Sequence, residues 1–390
     1  MNPVRKYLLI LFLFIAMTPV VAMLNYVFLK NAYEFQPIND AVNLQLNNGA
    51  LYLPALHDTT YQYKLALYHK IKPKVVAVGS SRMFRIRGGY FNVPFVNLGG
   101  TMYNLREGKK LLTEMAATHK PEVILLGIDF WWFGDLKGAY NHANINVKGT
   151  EFQLSMVLLP CQWLLAGKIS LPKFFHILLG RDHNPFLALG LHPAISWMGF
   201  YQDGSMFHYG LTYGLVKPSQ KGFSPECQQI NNGLGYFKYN CAINQKKWQE
   251  FASLLEFARN ENIKVITYFL PFPARVVDLM AKKKGKYSYF EELRAKIPQV
   301  SENHFDFFDP REFGACDCEF FDGFHSGEIA DLRMLRIMGR NPHSGLQPYL
   351  NWPKIEECIQ QFSGKTLVPV HSFNVPYQEV DFLRLGCKKN

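Results

Sequence analysis

Hydrophobic and polar positions along this chain follow two periods, and each change of period marks a boundary. Continuous apolar runs stand at 74–80 ("KVVAVGS"), 95–100 ("FVNLGG"), 122–133 ("EVILLGIDFWWF") and 264–273 ("KVITYFLPFP"), and "HFDFFDP" at 304–310 is a candidate fifth strand. Short runs without polar alternation predict strands buried on both faces. Between them the period lengthens. "NLREGKKLLTEMAATHK" puts Leu105, Leu111, Leu112 and Met115 on one helical face. "NQKKWQEFASLLEFARNENI" does the same with Trp248, Phe251, Leu254, Leu255 and Ala258, behind Asn244 as N-cap. Further helices are expected through "ARVVDLMAKK" and after "CEFFDGFHSGE". The alternation predicts an α/β fold whose mostly parallel sheet is covered on both sides.

The pattern breaks off over 134–243, which is rich in aromatics, Gly, His and Pro and reads as one large insertion. Its apolar portion, "FQLSMVLLPCQWLLAGKISLPKFFHILLG", is divided by Pro160, Gln162, Lys168 and Pro172 into pieces too short to span a bilayer. Two amphipathic helices are expected there, as a lid or as a surface for membrane or partner. At the N-terminus, Arg5 and Lys6 precede an apolar run from Tyr7 to Leu24 that only Thr18 and Pro19 interrupt. The length suits a transmembrane helix, and the leading cations place the N-terminus inside. A cleaved signal peptide is the alternative, with Val20 and Ala22 before the cut. The expected division is an anchor or signal peptide at 1–30, a linker at 31–70, a domain at 71–345 carrying the insertion, and a C-terminal extension at 346–390.

Charge and cysteines narrow the partners. The formal net charge is +11, but only "KKKGK" at 282–286 is a dense basic run, and no nucleic-acid motif accompanies it. A basic balance suits an anionic polymer or a membrane surface. Seven cysteines fit an oxidising compartment. Cys227 and Cys241 flank a polar loop that a disulfide would close. "CDC" at Cys316 and Cys318 lacks the paired spacing of a zinc site, so no metal is expected, and no cofactor motif is present.

In open α/β sheets ligands gather at the carboxyl ends of strands. The residues there are Ser80, Ser81 and Arg82, then 97–101, then Asp129, then the "FFDGFH" loop. Ser81 is followed by Arg82 and Met83, so the Gly-x-Ser-x-Gly elbow is missing, and no phosphate-binding Gly-Lys-Ser/Thr occurs. Asp322 and His325 stand three apart at an expected helix start, where an acid can orient an imidazole. With a serine at a distant strand end they make the parts of an activated nucleophile.

"VGSSR", "VNLGG", "LLGIDFWWF" and "DGFHSGE" resemble, in order and approximate spacing, the four blocks of the SGNH (GDSL-like) hydrolases. The chain is most similar to membrane-anchored SGNH-like proteins of cell-envelope polymer O-acylation, of the alginate O-acetylation and teichoic-acid D-alanylation kind. The resemblance covers roughly 70–133 and 244–340. It implies a flavodoxin-like three-layer sandwich in which Ser81 is nucleophile and Asp322 and His325 are acid and base. It also implies oxyanion donors at the N–H groups of Ser81, Gly99 and Gly100. Hydrolases of this family carry Asn where "LGID" has Asp129, and an ionised Asp offers no donor; Asp129 is therefore expected to hold Arg82. The implied activity is a serine acyltransferase or esterase acting on acyl, chiefly acetyl, esters of an envelope polysaccharide. The implied setting is the bacterial inner membrane, single-pass, with the main domain in the periplasm or outside and a membrane-bound O-acyltransferase as partner. The alternative is a non-catalytic polysaccharide-binding or scaffold subunit, with Trp131, Trp132 and Tyr140 stacking on sugars.

Overall fold

The computed structural model describes residues 3–134, 154–181, 184–283, 285–370, 373 and 378–389. The chain divides into two compact units, one formed by Met1–Thr59 with Val147–Gly199 and the other by Thr60–Asn146 with Phe200–Asn390.

The second unit holds the sheet. Its strands are β1 (Val75–Gly79), β2 (Phe95–Gly99), β3 (Val123–Ile128), β4 (Lys264–Phe269) and β5 (His304–Asp306). All neighbours are parallel and the order is β2-β1-β3-β4-β5. Strand order therefore reverses beside β1, which opens a crevice at its carboxyl end. The first three strands are buried along their whole length, as their uninterrupted apolar sequence requires. Val75, Ala77, Val123, Leu125, Ile266 and Tyr268 join one core with the helices Glu328–Arg340 and Trp352–Phe362. The helices Leu105–Ala116 and Gln245–Asn260 pack on each other and cover the other side. The second starts where its asparagine predicts, Asn244 accepting from Lys247 N–H, and the first is capped by Asn104, which accepts from Arg106 and Glu107 N–H. The result is an α/β unit compatible with a three-layer sandwich.

Several boundaries differ from expectation. The 122–133 run is a strand only to Ile128; Phe130–Phe133 turns as a 3-10 helix, because all four aromatics are buried off the sheet. The linker expected at 31–70 is structured. Its Thr60–Ile71 helix belongs to the sheet unit and buries Tyr63, Lys64, Leu67 and Tyr68. Lys64 is satisfied by the Asn97 carbonyl at 2.8 Å and by the Gly204 carbonyl. The insertion is not one piece, since Val147–Gly199 joins the first unit and Phe200 onward joins the second. The C-terminal extension is integral: its helix is part of the core, and Cys387 is disulfide-bonded to Cys318. Cys227 and Cys241 are free thiols, so the pairing expected from their flanking positions does not form.

In the first unit, Phe28, Leu29 and Ala32 pack with Ile169, Phe174, Ile177, Leu191 and Ala194. Buried Glu34 accepts the N–H groups of Ala55, Leu56 and Leu191, tying the chain segments together. The N-terminal run is helical over Pro3–Asn31. Side chains 9, 10 and 13–15 lie outside the described set, and the longest described stretch, 16–31, contains Pro19 and Asn25. Among the described residues no helix is long and apolar enough to cross a membrane, in contrast to the transmembrane helix expected.

Candidate active site

Strand β1 ends at Gly79, where an added Cβ would stand 2.6 Å from the Met83 side chain. Only glycine permits that approach. Ser80 follows as N-cap, its Oγ accepting the Arg82 N–H at 3.3 Å, and a single 3-10 turn, Ser81–Met83, carries Ser81 off the sheet end. Ser81 Oγ lies 2.9 Å from His325 Nε2, although the two are 244 residues apart in sequence. His325 Nδ1 in turn lies 2.8 Å from Asp322 Oδ2 and 3.0 Å from Oδ1. Nucleophile, base and orienting acid are thus in hydrogen-bond succession.

Asp322 and His325 share one turn at the entrance to their helix. They occupy the loop before Glu328–Arg340, where Asp322 Oδ1 accepts the N–H groups of Phe324 and His325, both at 2.7 Å. This turn sets the imidazole by backbone as well as by side chain. Burial pushes the Asp322 carboxyl up, but the facing His325 charge and these donors outweigh it and hold the group at about 2. The acid is therefore ionised throughout the physiological range.

Arg82 points the other way, into the protein. Its Nη1 lies 2.8 Å from Asp129 Oδ1, with side chains 3% and 0% exposed. Nε donates to the Phe324 carbonyl at 2.8 Å and Nη2 to the Pro271 carbonyl at 2.5 Å. The Phe272 ring covers the guanidinium at 4.0 Å. Asp129 thus holds Arg82, and Arg82 holds the peptide just before His325. Burial raises the Asp129 carboxyl, and the Arg82 charge opposes that rise. Trp131 and Trp132 are buried behind this brace, Trp131 edge-on to Phe324, so neither offers a sugar-stacking face. Tyr140 lies outside the described residues.

The glycines of the second block are occupied otherwise than expected. Gly99 N–H donates to Asn97 Oδ1 at 2.8 Å, and Gly100 N–H to the carbonyls of Gly79 and Ser80, both at 3.0 Å. Neither donor is spare for an acyl oxygen. Among the described residues the Ser81 N–H makes no turn, cap or loop hydrogen bond. Of the three expected oxyanion donors it is the one without such a partner.

A cavity of about 390 Å³ opens on Ser81, Asp322 and His325 and is walled by Arg85, His208, Gln220, Phe321 and Phe382, among others. Sequence reasoning missed these walls. His208 and Gln220 come from the supposed insertion and Phe382 from the supposed extension. Arg85 had a signal: "RMFRIR" places three arginines in an otherwise apolar run, and all three are buried. Arg82 pairs with Asp129 and Arg87 with Glu328. Arg85 forms no ion pair among the described residues. Its Nη1 donates to the Met206 carbonyl at 2.7 Å, Phe321 lies under it at 4.1 Å, and its buried Nε has no hydrogen-bond partner. Burial lowers its pKa to about 10, while Asp331 and Asp322 pull it back up. A larger groove of about 610 Å³ between Leu105–Ala116 and Gln245–Asn260 contains neither a His nor a Cys and lies among salt-bridged surface residues such as Arg106 and Glu250. Among the described residues no group of His, Cys, Asp and Glu is arranged to hold a metal.

The chain matches no protein-family model and no curated protein. The functional reading rests on the geometry of the site and the sequence blocks that build it.

Proposed function

We propose that the protein is an exported, membrane-associated serine acyltransferase or esterase of SGNH type that moves acyl groups, chiefly acetyl, on a cell-envelope polysaccharide. The observation that carries this is the Ser81–His325–Asp322 succession at the carboxyl end of β1, opening into a cavity. His325 Nε2 takes the proton of Ser81 Oγ as that oxygen attacks the acyl carbonyl. The Ser81 N–H donates to the oxygen that gains negative charge. Collapse of the tetrahedral species expels the alcohol, which leaves with the proton from His325, and a second attack by water or a polymer hydroxyl regenerates the serine. Where hydrolases of the family use an Asn, this chain uses Asp129 to hold Arg82 and so to position His325. Arg85 in the cavity wall, which forms no ion pair among the described residues and leaves Nε without a partner, favours an anionic polymer as acceptor or donor. The apolar N-terminal run supports attachment to the bacterial inner membrane with the catalytic unit outside it, beside a membrane-bound O-acyltransferase.

The test is serine-directed labelling of the full chain with a fluorophosphonate, together with turnover of a chromogenic acetate ester with and without an oligosaccharide acceptor. Label on Ser81 that His325→Ala abolishes, with turnover lost in Ser81→Ala, is the expected result. Undiminished turnover in Ser81→Ala would remove the nucleophile. Absence of label with retained polysaccharide binding would leave the scaffold reading.

A further inference from the structure

The unit of Met1–Thr59 and Val147–Gly199 carries a surface that the chemistry of Ser81 does not use. Helices Leu159–Leu165 and Leu171–Leu178 are fixed against the C-terminal part of Pro3–Asn31. Phe174 stacks on Phe28 at 4.8 Å, Asn31 Nδ2 donates to the Leu178 carbonyl at 2.9 Å, and Asn25 Nδ2 to the Val157 carbonyl at 2.6 Å. With their inner faces so committed, these helices turn Leu158, Leu165, Leu171, Phe175 and Leu179 outward. Leu165 is 89% exposed, Leu179 60% and Phe175 49%. Single exposed leucines are ordinary, but a cluster on two short consecutive helices marks an interaction surface.

Charge identifies the partner. Residues 154–181 contain Lys168, Lys173 and Arg181 and no Asp or Glu, and residues 3–31 contain Arg5, Lys6 and Lys30 and likewise no acid. Exposed apolar side chains in segments whose only charged residues are cations match the boundary between acyl chains and anionic headgroups. The apolar exposure also runs on into the N-terminal helix, where Val20, Met23, Leu24 and Tyr26 face outward. From Leu24 to Asn31 the helix rises about 10 Å, less than the thickness of one leaflet. The Lys168 ammonium lies over the Trp163 ring at 5.6 Å, a cation held against an aromatic face.

We propose that Leu158–Leu179 is a second membrane contact, lying in the headgroup layer of an anionic bilayer beside the N-terminal helix. It holds whether or not that helix crosses the bilayer, and it does not depend on the reaction at Ser81. The test places a photo-crosslinking p-benzoylphenylalanine at position 165 or 175 of the full chain, with position 109 of the other unit as control. The chain is reconstituted in phosphatidylcholine vesicles with and without one third phosphatidylglycerol. Lipid adducts at 165 and 175 but not at 109, reduced without phosphatidylglycerol, are expected. Leu165→Glu is expected to remove the adduct at 175 and to leave the far-ultraviolet circular dichroism unchanged. Adducts to a second copy of the chain, or none to lipid, would overturn the proposal. Equal lipid yield on phosphatidylcholine alone would overturn the role given to the cations.

Discussion

Arg82→Met removes the guanidinium that ties three segments together. Asp129, 0% exposed, loses its partner charge, and breaking such a buried pair costs about 3–5 kcal/mol. The carbonyls of Phe324 and Pro271 lose their donor as well, at about 1–3 kcal/mol each if left unsatisfied. These losses overlap, so the expected destabilisation is at least about 4 kcal/mol, close to the margin of a fold worth about 5–15 kcal/mol. Arg82→Met with Asp129→Leu removes both charges, and its stability should return to within about 2 kcal/mol of wild type. Activity should not return with it. Without the Nε donor the Phe324 carbonyl side of the peptide before His325 is unheld and Asp322 alone restrains its N–H side; a misplacement of about 1 Å costs roughly a hundredfold in rate. The loss should fall on kcat and leave KM unchanged. Arg82→Lys should restore part of the stability without the rate, because an ammonium cannot reach Asp129, Phe324 and Pro271 with one planar fork. Urea denaturation followed by tryptophan fluorescence gives the stabilities, and ester turnover gives the rates. A double variant with wild-type kcat would refute the positioning role. A fully stable Arg82→Met would refute the energetics.

Burial pushes Asp331, whose Oδ1 accepts from Ser326, up to about 7 from 3.8. A folded value above the unfolded one stabilises fully below about pH 4 and is lost as pH rises through about 7. Tm should therefore fall from pH 5 to pH 8, and Asp331→Asn should flatten that slope; an unchanged slope would contradict the assignment. The Cys318–Cys387 bond closes 69 residues, worth about 4 kcal/mol by chain entropy. Reduction should lower Tm as much as Cys387→Ser does, and an oxidised Cys387→Ser as stable as wild type would count against the pairing. Arg85→Gln should lower kcat/KM for carboxylate-bearing esters by about tenfold, equal to about 1.4 kcal/mol, while neutral esters are unaffected. Equal losses on both substrates would show that Arg85 supports the fold rather than reads charge.

What the sequence determined by itself is local. Uninterrupted apolar runs were enough to place β1 to β4, because a strand buried on both faces has few other ways to satisfy its side chains. Asn244 marked a helix start because a cap acts within three residues of itself. Ser81, Asp322 and His325 stood out because strand ends are where a parallel sheet presents chemistry, and the departure at Asp129 pointed to its pairing with Arg82. Other features depended on separation in space. Which cysteines pair, and that His208, Gln220 and Phe382 wall the cavity, follow from how distant segments close over the sheet. The N–H groups of Gly99 and Gly100 show the limit most plainly. Their sequence suits an oxyanion hole, but Asn97 and the end of β1 take both donors. A donor's partner is set by the register of neighbouring strands, and no residue carries that register in its own name.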